Sequence, residues 1–290
     1  MNDPPRRYWG ALRIALAKAA LQAMCRMPFQ PLRPSSPARP ATMMGLALPN
    51  PIGLAAGMDK SGALAGRTAA AGFGFHEVGS VSLANMKRTL GHLARWRAAG
   101  GEGVVGVNIA CSRHAEGRDA LAQYLTLAEH FLPLADYLVL NLSSPFTRRA
   151  RRSGSAWLTS LLSDVAAAAL RQQDRTARRV PLAVKISAAE DLPAPWLETL
   201  DHALASDFAG AVLATPEGLS EAEILLTLKE AKARLGERCL VSVGGIHSAA
   251  QVHDRLARGA SAVQVFSALV DGGPGWVRRI ASELTLDSAA

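Results

Sequence analysis

Short apolar runs alternate with longer stretches of helical periodicity along most of the chain. The runs are rich in β-branched or small apolar residues, and the stretches between them repeat apolar residues at intervals of three and four, as in Leu121–Leu132, Leu158–Leu170, Leu197–Leu204 and Ile224–Leu235. The pattern therefore predicts eight strands joined by helices. These strands are Ile52–Ala56, His76–Ser80, Val104–Ile109, Tyr137–Leu142, Val180–Ile186, Gly210–Ala214, Leu240–Val243 and Ala262–Phe266.

The spacing and composition of these runs favour a parallel sheet. Several runs are apolar at nearly every position, which is typical of strands with two buried faces. Successive runs begin roughly 20 to 45 residues apart, which leaves room for one crossover helix each. Eight βα units in a row predict an α/β fold, a (β/α)8 TIM-type barrel. A doubly wound sheet is the alternative, but it rarely has eight successive units, and no GxGxxG motif follows the first strand.

The first forty residues have a different pattern. Residues 6–27 place Trp9, Leu12 and Leu16 at helical spacing among arginines and lysines. This is typical of an amphipathic helix that rests on an anionic membrane or covers an apolar entrance, and an ordinary packed helix is the alternative. A proline at every third position from Pro28 to Pro40 predicts a semi-rigid linker. We therefore expect an N-terminal extension, residues 1–40, and a barrel domain, residues 41–290.

Composition and charge narrow the class of protein. The chain has 290 residues, of which 49% are hydrophobic and 19% are charged, so it is not a disordered chain. Its formal net charge is +8, of which +6 lies in residues 1–40, so the barrel is not expected to bind nucleic acid. The extension is also compatible in composition with a mitochondrial transit peptide. Three scattered cysteines and seven histidines without ligand spacing predict neither a disulfide framework nor a metal site.

Polar residues collect at the carboxyl ends of the predicted strands. In a parallel barrel these ends share one face, where active sites lie. Asn108 and Asn141 stand in apolar strands, and a buried amide without partners costs about 1–3 kcal/mol, so a polar ligand is a natural partner. Gly244 and Gly245 after the seventh strand and Ser267 after the eighth are typical of a barrel phosphate site. A tight turn that requires glycine is the alternative for the glycine pair.

Eight short motifs follow one another along the predicted barrel. They are Asn50–Lys60, Gly72–Ser80, Gly106–Ile109, Asn141–Pro145, Val184–Ile186, Ala214–Thr215, Val243–Ile246 and Val263–Ser267. Together they resemble the dihydroorotate dehydrogenase family, in particular its membrane-associated, quinone-reducing class. The resemblance spans about residues 41–285, and its first and fourth motifs are the most specific.

The resemblance implies an FMN-dependent oxidoreductase acting on CH–CH groups, as in pyrimidine biosynthesis. It implies that Ser144 is the catalytic base, that Lys60 contacts both flavin and substrate, and that a quinone is the electron acceptor. It further implies a cytoplasmic enzyme with peripheral contact to the inner face of the cell membrane through residues 6–27. The implied flavin contacts are Ala56, Gly57, Ser80, Asn108, Asn141, Lys185, Thr215, Gly244, Gly245, Phe266 and Ser267.

The chain departs from the family at the positions that bind substrate. The family has asparagines where this chain has Phe146 and Pro216. The interval between Ser80 and Gly106 is also shorter than in the family, and Asn85 is the single asparagine in it. The expected substrate contacts are therefore Lys60, Asn141 and Phe146. Because a site built for such hydrogen bonds discriminates by about 10⁴ or more, the loss of these amides should weaken orotate binding severely. We therefore favour a flavin oxidoreductase with a changed substrate over a working dihydroorotate dehydrogenase. The alternatives are a paralogue in a specialised pathway and a non-catalytic flavin- or phosphate-binding barrel.

Four arginines follow the predicted base, at positions 148, 149, 151 and 152. We interpret them as a solvated loop, and recruitment of an acidic substrate or partner is the alternative. We expect His76, inside a strand, and Cys111, just after one, to be structural.

Overall fold

A closed barrel of eight parallel strands forms the centre of the protein. The computed structural model describes residues 14–23, 40–144, 147–188, 196–216, 218–273 and 275–286. The strands follow one another around the barrel in chain order, and the last pairs with the first. The predicted (β/α)8 fold and all eight strands are confirmed. The strands are β3 (Ile52–Leu54), β4 (Phe75–Val81), β5 (Val104–Ile109), β6 (Tyr137–Asn141), β7 (Leu182–Ser187), β8 (Gly210–Ala214), β9 (Cys239–Val243) and β10 (Ala262–Val265).

Helices connect the strands and cover the barrel. Two of them begin with a capping box, at Ser82 with Asn85 and at Ser220 with Glu223, which satisfies their first backbone N–H groups. The helices are α1 (residues 14–23), α2 (Leu83–Ala98), α3 (Gly117–Phe131), α4 (Arg148–Arg151), α5 (Gly154–Thr176), α6 (Trp196–Ala205), α7 (Glu221–Leu235), α8 (Ala249–Ala257), α9 (Ser267–Gly272) and α10 (Trp276–Leu286), and a 3₁₀ turn spans Thr68–Ala71.

A short hairpin closes the amino-terminal end of the barrel. Its strands, β1 (Ala41–Met43) and β2 (Leu46–Leu48), pair antiparallel. Met43 and Leu48 are buried against the first residues of several barrel strands, including Phe75 and Tyr137. The sequence analysis did not predict this hairpin, because each of its strands is only three residues long.

Two glycines make room for aromatic rings inside the barrel. A Cβ atom on Gly53 would lie 2.2 Å from the ring of Phe75, and one on Gly106 would lie 2.1 Å from the ring of Tyr137. The two rings pack edge to face with centroids 6.4 Å apart. Apolar packing therefore fills the amino-terminal half of the barrel interior and leaves the polar side chains to the carboxyl-terminal half.

The N-terminal helix packs on the barrel. Leu21 is 1% exposed and lies in the apolar cluster that contains Ile52 and Trp276. The helix predicted over residues 6–27 is described only for residues 14–23, and the predicted linker at residues 28–39 lies outside the described residues. The boundary at residue 40 stays a prediction. In the described part of the chain, no helix is both long enough and apolar enough to cross a membrane.

Candidate active site

The loop after β3 is held by one buried carboxylate. Asp59 is 4% exposed, and its oxygens accept hydrogen bonds from the backbone N–H groups of Ser61, Gly62 and Leu64 at 3.0, 2.9 and 2.8 Å. The N–H of Gly57 also donates to the carbonyl of Gly79 at 2.6 Å. These bonds fix the backbone on both sides of Lys60, whose side chain is exposed at the rim of the barrel.

Hydrogen bonds join the carboxyl ends of β3, β4 and β6. The Asn85 side-chain amide donates to the carbonyl of Lys60 at 2.8 Å. The Asn141 amide donates to Ser80 Oγ at 2.7 Å, and its oxygen accepts from the Ser143 N–H and Oγ at 3.1 and 2.8 Å. The structure thus brings the segments that carry Lys60, Ser80, Asn141 and the following serines to one face.

The predicted base, Ser144, lies half-buried three residues after Asn141. Its carbonyl accepts hydrogen bonds from the N–H and Oγ1 of Thr147, at 3.0 and 2.8 Å. Thr147 is fully buried, so the backbone at Ser144 is anchored in the core. The predicted substrate contact Phe146 lies outside the described residues.

Arg151 corrects the interpretation of the four arginines as a solvated loop. Arg151 is 5% exposed, and its guanidinium donates to the carbonyl of Leu142 at 3.3 Å and to Thr199 Oγ1 at 3.0 Å. Burial lowers the pKa of Arg151. Arg149 is exposed as expected, and it forms an ion pair with Glu116 at 3.0 Å. Residues 148–151 form a short helix, and the hydrogen bond from Arg151 to Leu142 joins this helix to the segment that contains Ser144.

A polar cluster lies inside the barrel below this face. Glu77 is fully buried and accepts hydrogen bonds from Asn108 Nδ2 at 2.9 Å, Gln264 Nε2 at 2.5 Å and the Tyr137 hydroxyl at 3.4 Å. Burial lowers the pKa of Lys185, and the negative charge of Glu77 opposes that shift. The sequence analysis selected Asn108 and Lys185 and missed Glu77 and Gln264. The available signal was a carboxylate and an amide within apolar strands, at positions that face the interior.

The two glycines after β9 form a turn that no other residue fits well. Gly244 has φ +110° and Gly245 has φ +66°. A Cβ atom on Gly244 would lie 2.6 Å from Thr215 Oγ1. Thr215 itself is fixed by hydrogen bonds from its N–H and Oγ1 to the carbonyl of Val243, at 3.0 and 3.3 Å. The glycine turn therefore presents bare backbone at the face of the barrel.

Arg255 supports this turn from the core, and the sequence analysis missed it. It is fully buried, pairs with both oxygens of Glu221 at 2.8 and 3.0 Å, and donates to Ser242 Oγ at 3.1 Å and the Gly244 carbonyl at 3.5 Å. It thus connects α8, the start of α7 and the glycine turn. Nearby, Ser267 begins α9, and its Oγ lies 3.5 Å from Nε2 of the exposed His247.

The predicted site residues grade from buried to exposed across the face. Asn108, Asn141 and Lys185 are buried inside the barrel. Lys60, Gly245 and Ser267 are exposed at the rim. The ring of Phe266 would lie 3.6 Å from a Cβ atom on Gly57, so these two residues are also neighbours. The remaining predicted residues are half-buried between these extremes, namely Ala56, Gly57, Ser80, Ser144, Thr215, Gly244 and Phe266.

The other expected structural residues agree with their assignments. Cys111 is 1% exposed, and burial raises the pKa of its thiol to about 11. His76 is also 1% exposed and lies 3.6 Å from Asp59. Among the residues that the structure describes, no group of three or more His, Cys, Asp or Glu side chains could hold a metal ion.

Comparisons with known proteins point to one family. A sequence model described as dihydroorotate dehydrogenase matches residues 225–286. The chain is similar to a protein of Herminiimonas arsenicoxydans named dihydroorotate dehydrogenase (quinone), at 32% identity over 84% of this chain and 85% of that protein. A protein of the same name from Cupriavidus taiwanensis is 34% identical over 84% of this chain and 86% of its own length.

Solved structures show the same fold. The crystal structure of DHODH from Eimeria tenella in complex with ferulenol aligns with a TM-score of 0.79 at 22% identity, over 97% of this chain and 92% of that one. The ligand-free DHODH from the same organism aligns with the same TM-score at 23% identity, over 95% of each chain.

Proposed function

The chain belongs to the dihydroorotate dehydrogenase family of flavin oxidoreductases that act on CH–CH groups, and from this premise we propose that it binds FMN at the carboxyl ends of its barrel strands. The observation that carries the proposal is a pair of buried amide oxygens. Asn108 Oδ1 and Gln264 Oε1 have no hydrogen-bond partner within the described part of the chain. Buried polar atoms of this kind are rare in folded proteins, so they point to a ligand that donates hydrogen bonds.

The residues present fit the ring of a flavin. The pyrimidine edge of an isoalloxazine carries an N–H donor beside carbonyl acceptors. Asn108 and Gln264 would accept from a donor, and the buried ammonium of Lys185 would donate to an acceptor. Ser80 and Asn141 would bind the same ring nearer the rim. This combination of acceptors and a cation matches the ring better than it matches a purely anionic ligand.

The residues present also fit a phosphate. The backbone N–H groups of Gly244 and Gly245 would hold it, with Ser267 beside them, because successive N–H groups without side-chain obstruction form an anion-binding concavity. Thr215 would lie beside it, and Phe266 would pack next to Gly57. The loop after β8 is short, with Pro216 followed closely by α7 at Glu221, so the glycine turn would carry most of the phosphate contacts.

The bound FMN would supply a two-electron centre that accepts or returns a hydride. The residues of the chain would orient the substrate and move its proton. Lys60 and Asn141 would bind the substrate, and Ser144 Oγ would take a proton from a substrate carbon. An isolated serine is a weak base, so this step requires a site from which water is excluded. The buried Thr147 and Arg151, which anchor the backbone around Ser144, would keep its position constant during the reaction.

Dihydroorotate is the first candidate substrate, because the relatives are named for it. A different CH–CH substrate is the second candidate, and one observation favours it. Asn85, the asparagine in the shortened interval after Ser80, is already bonded to the Ser82 N–H at 2.8 Å and to the carbonyl of Lys60. Its side chain is therefore engaged in the helix cap instead of facing a substrate.

A quinone is the proposed electron acceptor. Quinone is part of the names of the relatives, and α1 lies against the barrel near the end of β3. Leu16 on this helix is 60% exposed, which suits contact with a lipid surface or an apolar acceptor. We therefore propose peripheral membrane contact through residues 6–27.

Anaerobic mixing of the purified flavoprotein with dihydroorotate tests the proposal. Bleaching of the flavin absorbance identifies dihydroorotate as a substrate. A bound flavin that dihydroorotate does not bleach, but that dithionite does, supports the second candidate. A protein that binds no FMN after reconstitution contradicts both candidates.

A further inference from the structure

We propose that Glu77 is a positioning residue that sets the hydrogen-bonding pattern presented to the flavin, by fixing the orientation of two amides. This inference rests on the proposed FMN site. Glu77 lies on β4, two residues before Gly79, and it has no exposed surface. Its side chain is thus placed to act through its neighbours within the barrel.

The carboxylate is surrounded by donors from three other strands. Asn108 on β5, Tyr137 on β6 and Gln264 on β10 all donate to it, at 2.9, 3.4 and 2.5 Å. A carboxylate buried inside a barrel is stable only when such bonds replace its hydration. The three donors therefore keep Glu77 inside the barrel, and Glu77 in turn connects strands that are distant in sequence.

The charge of Glu77 decides which way each amide points. An ionised carboxylate only accepts hydrogen bonds, so Asn108 and Gln264 must turn their NH2 groups toward it. The oxygens, Asn108 Oδ1 and Gln264 Oε1, are then directed away from Glu77. Both oxygens are buried and without a partner among the residues described, so they are available to a donor on a ligand. If the side chain at position 77 were neutral, either the NH2 group or the oxygen of each amide could face it.

The same charge favours the ammonium form of Lys185. This lysine is 9% exposed on β7, where burial lowers its pKa and the negative charge of Glu77 raises it. The protonated lysine is a donor only, whereas a neutral amine also accepts. Glu77 therefore favours two outward-facing amide oxygens and a cationic donor at once. The pyrimidine edge of an isoalloxazine offers one N–H donor, which the two oxygens would share, and carbonyl acceptors for the lysine.

A purely structural role is the competing explanation, because a buried hydrogen-bond network also stabilises a barrel. Asp136 provides a matched control. It lies just before β6, at the opposite end of the strands, and accepts from Arg97 Nη2 at 2.6 Å and the Val105 N–H at 2.8 Å. Its replacement removes comparable hydrogen bonds without touching the flavin face.

The test compares wild type, Glu77→Gln and Asp136→Asn by three measurements: the FMN dissociation constant, the midpoint potential of the bound flavin, and the melting temperature of the FMN-free protein. For Glu77→Gln we expect the dissociation constant to rise about tenfold or more, because the amides lose their fixed orientation. We expect the midpoint potential to shift as well, because Glu77→Gln removes a negative charge and weakens the preference of Lys185 for its ammonium form. For Asp136→Asn we expect a lower melting temperature with both flavin properties unchanged.

Three outcomes overturn the proposal. The first is a Glu77→Gln protein with wild-type FMN affinity and potential, whatever its melting temperature. If Glu77→Gln does not fold, Gln264→Leu is measured instead, because it removes one of the two acceptors. Unchanged FMN affinity in Gln264→Leu is the second outcome that contradicts the proposal. The third is a wild-type chain that binds no FMN. This result contradicts the proposed function as well, whereas the first two contradict only the role of Glu77, so the two kinds of failure are distinguishable.

Discussion

The Nζ atom of Lys18 donates a 2.8 Å hydrogen bond to the carbonyl oxygen of Gly57. Lys18 belongs to the N-terminal helix, and Gly57 begins the loop that carries Lys60. Burial and the nearby charge of Lys60 lower the pKa of Lys18, while Asp59 opposes this shift. The helix therefore contacts the loop that we expect to bind the cofactor.

Lys18→Met should separate the two kinds of electron acceptor. Loss of the bond to Gly57 loosens the helix against the rim, where an apolar acceptor would enter. We expect turnover with a hydrophobic quinone to fall several-fold, while turnover with a soluble dye stays near wild type. Lys229→Met, at an exposed lysine on α7, is the matched control. Equal loss with quinone and dye would contradict the role of the helix in quinone access.

Because of the buried His76, we expect the free energy of unfolding to decrease in acid. Burial lowers its pKa to about 4 from 6.5, so between these values the unfolded chain binds a proton that the folded chain does not. The stabilising contribution of neutral His76 is complete above pH 6.5 and is lost as the pH falls toward 4, by on the order of 3 kcal/mol in total.

His76→Leu tests this dependence by urea denaturation at several pH values. Neither ring nitrogen has a hydrogen-bond partner in the described residues, so an apolar side chain should fit without a large loss at pH 7. We expect a flatter pH dependence between 4 and 6.5 than in wild type. Parallel curves for the two proteins would show that His76 does not cause the acid loss.

Gly244→Ala should damage both stability and FMN binding. The new Cβ atom would meet Thr215 Oγ1 at 2.6 Å in a backbone conformation that favours glycine. We expect a loss of roughly 2–4 kcal/mol of unfolding free energy, and weaker FMN binding by titration. Gly218→Ala has a positive φ but open space around its Cβ, and it should cost only about 1–2 kcal/mol. Equal losses in the two variants would show that crowding at Thr215 is unimportant.

Arg151→Met should be far more damaging than Arg149→Met. Arg151 is buried and leaves the Leu142 carbonyl and the Thr199 hydroxyl without their donor, which costs about 2–3 kcal/mol. Arg149 is 53% exposed, and its pair with Glu116 is worth at most about 1 kcal/mol. Chemical denaturation of both variants checks the difference. Similar stabilities would contradict the anchoring role of Arg151 near Ser144.

The strands could be predicted from the sequence because each combines a buried run with polar residues at its carboxyl end. The predicted site residues Asn108, Asn141 and Lys185 were selected by the same reasoning, and the structure places all three in the barrel interior. Glu77 and Gln264 did not, because the sequence does not reveal that side chains from β4 and β10 meet inside the barrel. Arg151 and Arg255 were missed for a related reason: an arginine among charged residues is indistinguishable from a surface residue until its buried acceptors are known.

The FMN content of the purified protein tests the central claim most directly. After reconstitution with FMN and removal of excess cofactor, we predict stoichiometric FMN in the wild-type chain and a strongly reduced amount in Gly244→Ala. A wild-type chain without FMN, or full FMN content in Gly244→Ala, would contradict the placement of the flavin at the carboxyl ends of the barrel strands.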